Sequence, residues 1–190
     1  MFPSLRVFEE IVHSCHLDQV EDLYRDCLSK YQIAGQYTGG DKRILDLGVN
    51  EGYRAAALLC ALPDAEYSGV KYVGARDDEP LTVVEVILAK LCPNSNVRLH
   101  NLEINEDLAE KLPGPHGIVH VSGLHFNPGL WQALTTASQV VGKHGLIIID
   151  GYLDGNVRQI VDRFVKSHAD FISDGYLQDS SRGNFVVTAR

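Results

Sequence analysis

Short apolar runs alternate along this chain with longer stretches in which apolar residues return every three or four positions. The clearest unit is Arg43-Ile-Leu-Asp-Leu-Gly-Val-Asn-Glu-Gly-Tyr53, followed by the apolar helical run 54–62. It reads as a short buried strand, a glycine turn and the opening of a helix. Residues 68–75, 96–100 and 117–122 predict three further strands, each preceded by a helix or a break such as Pro63-Asp64 or Cys92-Pro93-Asn94. Pro80 suits the first turn of a helix whose Leu81, Val84, Val86, Ile87, Leu88 and Leu91 make it apolar nearly all round, and 105–112 predict a short acidic helix. Residues 128–141 predict a helix, 142–145 a turn, and 146–150 (LIIID) a strand buried on both faces. An amphipathic helix over 156–167 then presents Val157, Ile160, Val161, Phe164 and Val165 on one side. Strands over 170–177 and 185–188 close the chain as a hairpin around the turn 178–183.

Before the first strand, two helices are expected within residues 1–38. Ser4 is placed to cap the first, whose stripe is Leu5, Phe8, Ile11 and Val12, and Asp18 to cap the second. Tyr24, Tyr31 and Tyr37 read as packing residues. The organisation expected is a helical cover over 1–38 and an α/β domain over 39–190, making one compact unit. The fold class is a doubly wound, mostly parallel seven-stranded sheet ending in an antiparallel hairpin. Ligands of such sheets lie outside the carboxyl ends of the strands, which here means 46–52, 75–78, 122–126 and 150–152.

Composition narrows the partners. In 190 residues, Lys plus Arg number 17 and Asp plus Glu 25, a formal charge of −8 that gives no electrostatic footing for nucleic acid. No apolar run approaches the ~18–20 residues of a membrane helix, and Glu9 and Glu10 stand where a signal peptide would be apolar. Cys15, Cys27, Cys60 and Cys92 show no Cys-x-x-Cys spacing, so reduced, buried thiols in a cytoplasmic protein are expected. No His or Cys cluster has structural-metal spacing, and Ser122 lacks a nucleophile-elbow context.

The stretch Asp46-Leu-Gly-Val-Asn-Glu-Gly52 resembles the first motif of class I S-adenosylmethionine-dependent methyltransferases, acidic-x-Gly-x-Gly-x-Gly, with Asn50 at the middle glycine. Asparagine tolerates left-handed backbone better than other non-glycine residues. Residues 117–126 (GIVHVSGLHF), the later Ile-Ile-Asp-Gly-Tyr152 and the closing hairpin are similar to small-molecule O-methyltransferases with Asp-Gly-x-His and Asp-Asp-Tyr signatures. A nicotinamide fingerprint fits less well, because only its first glycine is in register. The resemblance implies S-adenosylmethionine as cofactor, held by Asp46, Leu47, Gly48, Asn50, Gly52, Ser122 and Gly123, with Arg76 or Asp77 at the ribose. It implies a small-molecule hydroxyl as acceptor; His125, just past the fourth strand, reads either as the general base or as a structural hydrogen bond between loops, with Asp150 orienting that base or binding the acceptor.

The chain also departs from that pattern. Ser122 and Gly151 stand where metal-dependent members carry aspartates, so no metal site is expected. His120 reads as a satisfied core histidine and Trp131 as a packing residue or a pocket wall. Two other readings use the same scaffold: a cyclase or isomerase of a biosynthetic pathway, or a non-catalytic relative that binds a protein partner. The N-terminal helices are compatible with a homodimer surface.

Overall fold

The computed structural model describes residues 1–12, 17–72, 81–112, 114–124, 128–177 and 181–190. Among these, seven strands form one sheet: β1 (Arg43–Leu47), β2 (Glu66–Tyr72), β3 (Asn96–Leu102), β4 (His116–Val121), β5 (Val141–Asp150), β6 (Phe171–Leu177) and β7 (Asn184–Ala189). Their order is β3-β2-β1-β4-β5-β7-β6. Strands β1 to β5 are parallel, and β7 enters antiparallel between β5 and β6. The helices are α1 (Leu5–Ile11), α2 (Leu17–Gly35), α3 (Tyr53–Ala61), α4 (Leu81–Leu91), α5 (Leu108–Lys111), α6 (Gly129–Val140) and α7 (Gly155–Ser167).

Side chains alternate across each strand, so the sheet builds two cores. On one face Leu45, Leu47, Val119, Val121, Ile147, Ile149 and Val187 meet the inner stripes of α5, α6 and α7. On the other, Ile44, Ile118, Ile148 and Val186 meet Ile33, Leu58, Leu59, Val84 and Leu88 of α2, α3 and α4. Two residues further toward the carboxyl ends of β1, β4 and β5, and toward the start of β7, this second face changes character. There it carries Asp46, His120, Asp150 and Asn184, all buried.

The N-terminal helices add a third core in which Phe2, Phe8, Val12, Val20 and Cys27 close over Ala57 of α3. Tyr24 and Tyr31 pack against it, and Tyr37 against the α2–α4 core, as the apolar pattern predicts. Phe8 and Tyr24 meet edge to face, with centroids 5.5 Å apart.

Several local expectations are corrected. Ser4 occupies the N-cap of α1, but its hydroxyl makes no capping bond. Helix α2 already includes Leu17, so Asp18 lies inside its first turn rather than at the cap. The turn expected over 142–145 lies within the span of β5: His116 pairs with Val141 and Ile118 with Leu146, so the intervening residues bulge out. His144 there takes a positive φ of 61°. Apolar runs locate strands well, but a wide bulge interrupts the alternation and reads as a turn. Strand β2 begins at Glu66, two residues earlier than expected, because its backbone pairs with Arg43 and Asn96 whatever the polarity of its own side chain. Pro80 and residues 73–75 lie outside the described residues.

Candidate functional site at the carboxyl ends of β1, β4 and β5

The winding of the sheet reverses between β1 and β4, and the turn after β1 sits at that point. Gly48 has φ +100°, and a Cβ there would collide with the carbonyl oxygen of Ser122. The turn is closed by the chain itself. The N–H groups of Gly48 and Val49 both donate to Val70 O, at 2.9 and 3.0 Å. Ser122 donates its N–H to Leu47 O at 2.9 Å and its hydroxyl to Gly48 O at 2.8 Å. Gly52, φ +93°, forms the N-cap of α3, and a Cβ there would lie 3.0 Å from Val84 Cγ1. Asn50 reaches back across the crevice, where a Cβ on Gly123 would stand 3.0 Å from its Oδ1. The structure therefore brings Asp46, Gly48, Asn50, Gly52, Ser122 and Gly123 together. Leu47 points the other way, into the α5–α7 core. Arg76, Asp77 and His125 lie outside the described residues.

Beneath the turn runs a buried polar network. Tyr67 donates its hydroxyl to Asp46 Oδ2 at 2.8 Å, and His120 donates Nδ1–H to Asp46 Oδ1 at 2.9 Å. The other ring N–H of His120 goes to Asp150 Oδ1 at 3.0 Å. Helix α2 enters through Lys30, whose ammonium has three partners: Asp26 Oδ1 at 2.7 Å, Asn184 Oδ1 at 2.8 Å and Asp150 Oδ1 at 2.7 Å. Helix α3 enters through Arg54, whose Nε lies 2.6 Å from Asp26 Oδ2 and 3.2 Å from Asp150 Oδ2. Asn184 completes the set by donating to Asp26 Oδ1 and to Ser29 Oγ.

The charges balance. Burial alone would make the His120 imidazole neutral, but Asp46 and Asp150 on either side raise it to about 9, so it is a cation at neutral pH. Burial would likewise raise the Asp150 carboxyl, yet Lys30, His120 and Arg54 hold it well below the usual carboxylate range. Asp26, against the pull of burial and of Asp150, is held low by Lys30 and Arg54. Three carboxylates (Asp26, Asp46, Asp150) thus face three cations (Lys30, Arg54, His120). In a low-dielectric interior such a set persists only when nearly every hydrogen-bonding group is used, as here.

The arrangement fixes three strand ends and two helices relative to one another. His120 has the role expected of a satisfied core histidine. The sequence pattern pairs Asp150 with His125; among the described residues the histidine it holds is His120. Sequence reasoning missed Asp26, Lys30, Arg54, Tyr67 and Asn184. Asp26 and Lys30 carried a usable signal, an acid and a base four apart on one helix face with Ser29 and Ile33 beside them. Asn184 and Tyr67 carried none, because their roles follow from sheet order. Asp46, Val49, Asn50, Gly52, Arg54, Ala55 and Ser122 line a pocket of about 10 Å³ at the base of the crevice, room for a single water. Any ligand larger than a water would therefore lie above the surface these residues form. Asp46 would support that surface from below, since both its oxygens are already bonded.

No protein-family model and no curated protein matches the sequence. Solved structures do. The O-methyltransferase TomG from Streptomyces achromogenes, in complex with SAM, superposes with a TM-score of 0.63 at 16% identity, over 99% of this chain and 96% of that one. An rRNA methylase from Streptococcus thermophilus gives 0.61 at 13%, over 84% and 92%, respectively. A precorrin-6y C5,15-methyltransferase from Geobacter metallireducens gives 0.60 at 15%, over 87% and 86%. The fold is that of the class I S-adenosylmethionine-dependent methyltransferases, in sheet order and in its closing hairpin.

Proposed function

We propose that this chain binds S-adenosylmethionine above the β1–α3 turn and transfers its methyl group to a hydroxyl of a small molecule without a metal ion. The observation that carries the reading is the Gly48–Ser122 closure at the β1/β4 switch point, on a fold shared with methyltransferases. The residues present fit the cofactor in one specific way. Asn50, Gly52, Ser122 and Gly123 form its floor, and Asp77 or Arg76, from the segment after β2, meets the ribose. The bound cofactor supplies an already activated methyl group, so the protein's work is alignment, exclusion of water and removal of one proton. His125, directly after Leu124, is the group assigned to that proton. Asp150, ionised and held by three cations, positions the strand end instead of accepting it. Those cations also disfavour a further metal ion beside Asp150. The charge of −8 supports a small-molecule acceptor over a nucleic acid.

One observation favours a second reading, a repurposed or partner-binding relative: Asp46 and Asp150 have no carboxylate oxygen left unbonded. Calorimetric titration with S-adenosylmethionine and S-adenosylhomocysteine, with and without Mg²⁺, separates the two. The proposal expects micromolar binding that ignores Mg²⁺ and weakens about tenfold in Asn50→Ala, the loss of roughly one hydrogen bond. It also expects His125→Ala to abolish labelled-methyl transfer to hydroxyl acceptors while binding persists. A folded protein that binds neither compound overturns the proposal in favour of the second reading.

A further inference from the structure

Far from the crevice, near the other ends of α3 and α4, Cys60 and Cys92 face each other with their Sγ atoms 3.6 Å apart. Cys60 lies in the last turn of α3, and Cys92 follows the last residue of α4. Both are half-buried free thiols, open enough to meet a small reagent and close enough to meet each other. Cys92 is held in place. Its N–H donates to Leu88 O at 2.7 Å, its carbonyl accepts from Ser95 at 3.1 Å, and its sulfur lies 3.5 Å from Ala56 O. Spacing in the sequence gave no hint of this pair, since 31 residues separate the two cysteines and only the packing of α3 on α4 unites them.

We propose that Cys60 and Cys92 form a redox-active dithiol, which a low-molecular-weight disulfide converts reversibly into an intramolecular disulfide tying α3 to α4. The roles within the pair are unequal. Once Cys60 is ionised it can only accept, so the Cys92 S–H turns to it; that bond favours the Cys60 thiolate against the opposing effect of burial and brings the thiol down to about 7. The same bond, with burial, holds the Cys92 thiol up. Cys60 is therefore the attacking sulfur and Cys92 the resolving one. In the first step the Cys60 thiolate attacks one sulfur of the reagent, a mixed disulfide forms and one small thiolate leaves. In the second, Cys92 gives its proton to that thiolate, and its sulfur attacks Cys60. The mixed disulfide breaks, the Cys60–Cys92 bond forms and a second small thiolate leaves. Two protein thiols are oxidised, and one small disulfide is reduced to two thiols. The bond joins the two helices whose opposite ends pack at Gly52 and Val84, beside the crevice. Oxidation thus restrains the same helix pair that frames the proposed cofactor floor, although the inference does not depend on that assignment.

The test equilibrates the whole purified chain in glutathione buffers of increasing oxidised fraction, followed by acid quenching, alkylation and peptide mass mapping. The expected product has lost two hydrogens, carries a cross-link between the Cys60 and Cys92 peptides, and reverts when reduced glutathione is added. In Cys92→Ser, glutathione accumulates as a stable mixed disulfide on Cys60. In the wild type, Cys60 is alkylated at least about tenfold faster than Cys27, whose buried thiol is pushed up to about 12. The pH at which Cys60 alkylation is half-maximal, near 7, moves upward in Cys92→Ala. A wild-type chain that keeps both thiols, stops at a mixed disulfide on Cys60 or cross-links to a different cysteine overturns the proposal.

Discussion

Strand β4 carries two buried histidines, His116 at its start and His120 near its end. They are the same residue on the same strand, in opposite states. His116 has no hydrogen-bond partner for either ring nitrogen among the described residues. Burial, together with the nearby Arg43 guanidinium, lowers it to about 4, and Asp41 only partly opposes them. Asp41 is itself engaged, with one oxygen on the Arg43 N–H groups and the other on its Nη2. His120 sits between two carboxylates and is a cation. The contrast locates the polar chemistry of the molecule. At the amino ends of the parallel strands a polar side chain is buried as a neutral filler. At the carboxyl ends, beside the crevice, polar side chains form a closed, charge-balanced set.

The sharpest way to break that contrast is to remove one member of the set. Asp150→Ala leaves Lys30, Arg54 and His120 buried with one carboxylate fewer. The expected loss is about 3–5 kcal/mol, the usual result of breaking a buried ionic network by removing one partner. Urea unfolding measures it. A loss under about 1 kcal/mol, the value of an exposed pair, would mean that water reaches the network and that its closure is illusory.

The two histidines should next separate in their pH dependence. His120 has a folded value raised from 6.5 to about 9, so the folded state binds its proton more tightly. Its contribution is complete below about pH 6.5 and is lost as the pH rises through 9. His116 has a folded value lowered from 6.5 to about 4, so the unfolded state binds its proton more tightly. Stability is complete above about pH 6.5 on this account and falls as the pH drops toward 4. Stability against pH should therefore slope in both directions, with the alkaline limb flattened in His120→Gln and the acid limb in His116→Leu. NMR titration of the two imidazoles checks the assignment directly. Equal titration midpoints would erase the comparison. The groups facing His120 are Asp46 and Asp150, with Lys30, Arg54 and Asp26 behind them, and those facing His116 are Arg43 and Asp41.

This contrast also marks how far the sequence could be read. Alternation and helical periodicity report which residues are apolar and at what spacing, so they located all seven strands and the switch point. The Asp46–Gly52 stretch could be read because strand, turn and helix follow one another within it. The network could not, because its members come from α2, α3, β1, β2, β4, β5 and β7, and only sheet order makes them neighbours. Asp46 illustrates the difference. Its position at the strand end was legible, but the engagement of both its oxygens depends on Tyr67 and His120, which lie 21 and 74 residues away. His116 and His120 look alike in sequence for the same reason. The bulge in β5 that faces His116 likewise breaks the alternation without leaving a mark distinct from a turn.

The smallest effect is expected at the amino end, and its sign is the informative part. His116→Leu removes two ring nitrogens that have lost water without gaining a partner and replaces them with a side chain suited to a buried site. Replacing an unsatisfied polar group by an apolar one of similar size is neutral or stabilising, so a gain of up to about 1 kcal/mol is expected at neutral pH. The gain should grow as the pH falls toward 4, because the wild type there must either protonate a buried imidazole beside Arg43 or keep it neutral against acid. Urea unfolding at pH 7 and pH 5 reads both quantities. A loss at pH 7 would show that the His116 ring has a partner the residue cannot do without. The two ends of β4 would then be alike in engaging their histidines, and only the sign of the surrounding charge would distinguish them.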